Sequence, residues 1–149
     1  MIAYLLDENV IREMKPGGHA HVRRWLAGVD DNQLRISVIT FFEKRLGWER
    51  EKRKLQAAGK DLAEIEKRLA EIAAFEASFG DRLIPMDAPV MAEWARLLGA
   101  KEKNQRDTAL AATARVHGLV IVTRNTKDFN GRGVKVLNPF KSPTKVEEV

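Results

Sequence analysis

The chain has 149 residues, of which 44% are hydrophobic, with 26 Lys and Arg against 21 Asp and Glu, three His and no Cys. That is one domain's length with enough apolar residues for a core; it excludes disulfides, thiolate zinc sites and cysteine nucleophiles and fits a reducing compartment. No apolar run approaches a membrane span and the N-terminus lacks a signal-peptide layout, so a soluble cytoplasmic protein is expected, and the net charge of +5 favours a polyanionic partner.

Five apolar runs read as strands: Ile2–Leu6, Leu34–Ile39, Leu83–Met86, Leu119–Thr123 and Val134–Leu137. Most are continuous rather than alternating, as in strands covered on both faces of a parallel sheet. Helical segments lie between them, so the class is α/β. Thr40 precedes "FFEKRLGWEREKRKLQAAG", with Glu43 three residues on at a capping-box spacing. Asp61 precedes "LAEIEKRLAEIAAFEASFG", with Glu64 at the same spacing and Leu62, Ile65, Leu69 and Ile72 as an apolar stripe. These two helices form a charged αα-hairpin between the second and third strands. Asp87 caps "APVMAEWARLLG", and Asp107 precedes "TALAATARVHG", which stops at Gly118. The three tryptophans, Trp25, Trp48 and Trp94, fall on helical apolar faces and read as core. The domain spans residues 1–140, and the tail 141–149 has little to bury and reads as loose.

Acids gather where an open parallel sheet binds ligands, beyond the carboxyl ends of its strands. Asp7 ends the first run. Glu43 lies one helical turn past the second. Asn125 and Asp128 follow the fourth in "VTRNTKDF", and Asp107 opens the helix that leads into it. Each has an ordinary reading: Asp107 as an N-cap, Glu43 as a capping-box residue, Asp128 as a turn residue. Asp7 is hardest to explain that way, since a charge against a buried strand needs a partner. Two carboxylates at 4 Å repel by about 4 kcal/mol at an effective dielectric of 20. A cluster therefore calls for a counter-charge, and oxygen-only ligands point to Mg²⁺ or Mn²⁺. Left unneutralised, such a cluster makes Asp7→Asn more stable than its parent without metal. His19, His21 and His117 are not spaced as a metal site.

The stretches "YLLDENVI", "ISVITFFEKRLG", "DTALAATARVHGLVIVTRNTKDF" and "GVKVLNPF" resemble the PIN-domain family, and within it the VapC-type toxins of bacterial toxin–antitoxin pairs. The resemblance runs from Met1 to about Phe140. It implies a three-layer fold with a central, mostly parallel sheet of about five strands flanked by helices. It also implies an endoribonuclease that uses Mg²⁺ or Mn²⁺, acts on RNA such as tRNA, dimerises, and is inhibited by a small antitoxin. By position its acids match Asp7, Glu43 and Asp107. The fourth acid of the family falls on Asn125, so either Asn125 or Asp128 takes that corner. Asn9 and Thr123 are the expected supporting residues beside Asp7. Arg124, Arg106 and Lys103 are candidates to hold RNA phosphates. Two other readings stay open: a PIN fold that only binds RNA or a partner, and a receiver-like Mg²⁺-binding signalling domain.

Overall fold

A computed structural model of the chain describes residues 1–100 and 105–149. The apolar runs become short parallel strands: β1 (Tyr4–Leu6), β2 (Leu34–Ser37), β3 (Leu83–Ile84), β4 (Val120–Val122) and β5 (Lys135–Leu137). Their continuity has a simple cause. Leu5, Ile121 and Val136 enter a core on one face of the sheet, whereas Leu6, Val120, Val122 and Leu137 enter a second core on the other. Successive side chains point to opposite faces, so a strand covered on both sides must be apolar throughout.

Helices α1 (Glu8–Ile11), α2 (Ala20–Ala27), α3 (Val38–Ala57) and α4 (Ala63–Ser78) supply Val10, Val22, Phe41 and Ile72 to the second core. Helix α6 (Gln105–His117) supplies Leu110, Ala111 and Ala114 to the first, with Leu97 of α5 (Ala88–Ala100) packed beside them. The result is the expected three-layer α/β fold. The αα-hairpin is formed by α3 and α4 and is clamped by the Arg45–Glu76 pair, with contacts of 2.7 and 3.0 Å.

The strand order is β3-β2-β1-β4-β5-β6. A sixth strand among the described residues, β6 (Val146–Glu148), runs antiparallel to β5, one more than the about five expected. The open edge of β5 has backbone groups that need partners. The tail fills them, and Val149 packs on the first core. The order also removes the receiver-like reading, which needs the third strand beside the first; here β4 holds that place.

Ser37, not Thr40, caps α3: its Oγ accepts from the Ile39 N–H at 3.1 Å. Thr40 and Glu43 thus sit inside the helix, and the capping box does not exist. Asp61 accepts from the Ala63 N–H at 3.0 Å, but Glu64 pairs with Arg68 instead of reaching back. Trp25 meets Tyr4 edge-on at 5.1 Å, Trp48 packs on the second core, and Trp94 Nε1 donates to Gln105 O and Thr108 Oγ1. That last contact ties the start of α6 to α5.

Helix α6 ends in a left-handed turn at Gly118 (φ 65°), with Leu119 N–H donating to Ala114 O at 2.9 Å. The turn aims the chain into β4. Gly118→Ala should lower the unfolding free energy by about 1–2 kcal/mol, the cost of a side chain in this backbone region, as read from denaturant midpoints. An unchanged midpoint would mean that the turn relaxes freely.

Candidate active site

Beyond β1 the chain turns toward β2, while β4 returns on β1's other side. The carboxyl ends of β1 and β4 therefore flank the switch point where open sheets bind ligands. Asp7 stands at its floor. Its N–H extends the ladder by donating to Val122 O at 3.0 Å, and the residue is 1% exposed. Its Oδ1 accepts from the Glu8 N–H (2.8 Å) and from Arg106 Nη1 (2.9 Å). Its Oδ2 accepts from Thr123 Oγ1 (2.8 Å) and Asn9 Nδ2 (3.4 Å). Thr123 Oγ1 itself accepts from the Asn125 N–H (3.1 Å) and Asn9 Nδ2 (3.3 Å), and Asn9 Oδ1 takes the Arg124 N–H (3.0 Å). A carboxylate this deep is tolerated because donors surround it.

Two helices bring the other acids. Glu43 projects from the second turn of α3, and Asp107 from the first turn of α6, where it is buried. The Arg106 guanidinium lies among all three: Nη1 is 2.9 Å from Asp7, Nη2 is 3.4 Å from Asp107, and Nε is 3.7 Å from Glu43. The sequence suggests this residue as a phosphate contact. In the fold its charge faces inward, because it precedes Asp107 on the same helical turn and three carboxylates draw it.

The charges act on one another. Burial pushes the Glu43 carboxyl above its ordinary range, against the pull of Arg106 and with the push of Asp7, Asp107 and Glu8. Burial likewise raises Asp107; Arg106 and Arg132 pull it down, and Asp128 and Asp7 push it up. Burial also works against the Arg106 charge, but Asp7, Glu43 and Asp107 together outweigh it and raise its pKa.

Asn125 and Asp128 lie on the rim, on the 3-10 turn after β4, and both are exposed. Only Asp128 brings charge, and that charge reaches Asp107. The buried Arg132, unremarked in the sequence, donates from Nε to Asp128 O at 3.1 Å and braces this turn. Its signal was only "NGRG", a turn composition. Lys103 lies outside the described residues.

The donor set suits a hard divalent cation in kind, being three carboxylates converging on one positive group. Beside it, Thr40 Oγ1 and Glu8 Oε2 are buried without a hydrogen-bond partner among the described residues. Both residues line a cavity of about 280 Å³ that also touches Glu43 and Arg106. Orphaned buried polar atoms mark a place for water or an ion. As the side chains stand, no three of the described acids and histidines close around one point; the guanidinium stands among them.

This geometry reverses the expectation that Asp7→Asn is stabilising. An amide would turn a donor toward Thr123, Asn9 or Arg106. Asp7→Asn should lower stability in EDTA by about 1–3 kcal/mol, and Arg106→Gln should do likewise and be rescued more strongly by Mn²⁺ than the parent. Denaturant midpoints with and without metal check both, and a stabilised Asp7→Asn would mean that repulsion dominates.

Glu43 gives a pH test. A raised folded pKa means that ionisation costs more in the fold than in the unfolded chain. Stability contributed by this group is thus lost as pH rises from the ordinary value of 4.5 through the raised one. Glu43→Gln should match or exceed the parent at pH 7 without metal and lose that advantage near pH 4. A variant less stable at pH 7 would mean that the Arg106 contact outweighs burial.

The PIN domain model matches residues 4–132. The chain is 34% identical over 142 residues to Toxin FitB of Neisseria gonorrhoeae, covering 91% of this chain and 97% of that protein. It is 31% identical over 143 residues to VapC ribonuclease Y4jK of Sinorhizobium fredii, covering 92% and 97%. The crystal structure of FitAcB from Neisseria gonorrhoeae superposes with a TM-score of 0.64 at 31% identity, over 92% of this chain and 98% of that one. A model spanning most of the chain, together with an acid cluster at the sheet's switch point, is decisive: the chain belongs to the PIN-domain family, with toxins of the FitB and VapC type among its relatives.

Proposed function

We propose that this protein is the toxin of a toxin–antitoxin pair and acts as a metal-dependent endoribonuclease. One observation carries the reading: Asp7, Glu43 and Asp107, from three separate elements, surround the Arg106 guanidinium at the sheet's switch point. Its ribonuclease and toxin relatives support the substrate class and the role. Asp7, Glu43 and Asp107 are the residues to hold Mg²⁺ or Mn²⁺, with Asp128 the better candidate than Asn125 for the fourth corner because it alone adds charge. Such an ion activates water and offsets charge on a phosphodiester. Within the protein, Thr123 and Asn9 hold Asp7 in one orientation, and Arg106 neutralises the acids until a stronger cation competes. A small antitoxin, a homodimer and an RNA such as tRNA complete the proposal; no described helix is long and apolar enough to cross a membrane.

A second reading, a PIN fold that only binds, draws on two features: Arg106 among the acids and Asn125 at the family's acidic position. Incubation of purified protein with an RNA pool, Mn²⁺ or Mg²⁺ and EDTA controls separates the two. Cleavage should require the metal and fall on the order of 100-fold in Asp7→Asn, Glu43→Gln and Asp107→Asn. Asp128→Ala should weaken the Mn²⁺ response more than Asn125→Ala. Cleavage that survives EDTA would sink the metal mechanism, and none under any metal would favour the binding module.

A further inference from the structure

A second cavity, of about 420 Å³, opens on the rim beside the acids, lined by Arg124, Asn125, Lys127, Asn138, Phe140 and Lys141 among others. We propose that it takes one nucleotide of a single-stranded RNA, its base stacked on the Arg124–Phe140 pair and its phosphates met by Lys127 and Lys141. This deepens the nuclease reading and rests on it for the choice of RNA.

The platform is built in advance. The Arg124 guanidinium carbon lies over the Phe140 ring, 4.0 Å from its centre. Arg124 is exposed, which leaves its outer side open to solvent. Its backbone is held at both ends: the N–H donates to Asn9 Oδ1 at 3.0 Å, and the carbonyl accepts from Asn138 Nδ2 at 3.4 Å. Phe140 is fixed from behind. Its carbonyl is 2.9 Å from His21 Nδ1, and the His19 ring meets it edge-on at 5.0 Å. A base can stack on a guanidinium plane as it does on an aromatic ring, without regard to sequence.

The charge and position agree with that use. Arg124, Lys127 and Lys141 outnumber Asp128 in the lining, and the charge of Asp128 bears on Asp107 in the acid cluster. The exposed Asn125 amide offers a donor and an acceptor to a base edge, while the Asn138 amide is engaged with Arg124 O and the Phe140 N–H. Asn9 touches both Asp7 and Arg124. The platform is therefore one side chain away from the carboxylates, where the nucleotide next to a cleaved bond would lie. An acidic peptide would satisfy the three cations but would leave the flat stack unused.

The test is fluorescence anisotropy of a labelled single-stranded RNA oligonucleotide in EDTA across a salt series, with Mn²⁺-dependent cleavage measured in parallel. Phe140→Ala and Arg124→Ala should each weaken binding roughly tenfold. Lys141→Ala should reduce the slope of log affinity against log salt by about 0.7, the value for one phosphate contact on a single strand. Arg124 and Lys141 are exposed, so those variants keep the test clear of folding effects, and Phe140→Trp should restore binding lost in Phe140→Ala. Wild-type affinity in Arg124→Ala and Phe140→Ala overturns the proposal, even if the parent cleaves RNA. Weakened binding by these variants in a protein that never cleaves supports the pocket while the nuclease reading falls. Displacement of the oligonucleotide by polyglutamate as readily as by unlabelled RNA would overturn the stacking role.

Discussion

Three carboxylates gathered at one crevice repel one another, and the Arg106 guanidinium opposes this from within the chain. Each carboxylate pair at such a site repels by about 4 kcal/mol at 4 Å and an effective dielectric of 20. A marginally stable domain cannot carry several such terms unopposed. One cation within reach of three anions opposes all of them. Its position also explains why Asp7 can be almost fully buried: the carboxylate is part of a network in which every oxygen has a donor.

The fold supplies this convergence through topology. β1 and β4 are neighbours in space although they are far apart in sequence, so Asp7 and Thr123 share a hydrogen bond across 116 positions. α3 leaves the adjacent strand directly, because Ser37 both ends β2 and caps the helix. That start sets the helical phase. Residues 40, 43, 44 and 47 fall on one face, and this face lines the small cavity next to Arg106. α6 completes the site by arriving with Arg106 and Asp107 on its first turn, anchored by Trp94 on Gln105 and Thr108.

Much of this was legible before any coordinates. Continuous apolar runs announce strands covered on both faces, and acids at their ends announce the crevice. Two kinds of fact were not legible. The first is competition between equivalent local signals. Ser37 and Thr40 are both good N-caps, and only the end of the β2 ladder decides for Ser37, which frees Glu43 from a capping role. The second is long-range pairing. Nothing in "NQRD" tells that Arg106 will face Asp7, 99 positions away, rather than solvent. The sixth strand was hidden for a related reason: "KVEEV" has too little to bury by itself, and its strand answers the open edge of β5.

A counter-charge adjacent in sequence to one of its own anions has a further consequence. Asp107 and Arg106 ride on the same first turn of α6, so any shift that moves the acid also moves the charge that balances it. The other two acids sit just past the strand β1 and on the helix α3, whose neighbours Leu6, Val10 and Phe41 are buried in the second core. α6 is therefore the one element that brings both an acid and its counter-charge to the site. Trp94 pins Gln105 and Thr108 on either side of that pair, and the rest of the helix, from Ala109 to Ala114, is buried against the sheet. The site thus pairs a floor, Asp7 with its donors, with one charged turn that carries an acid and the cation opposing it.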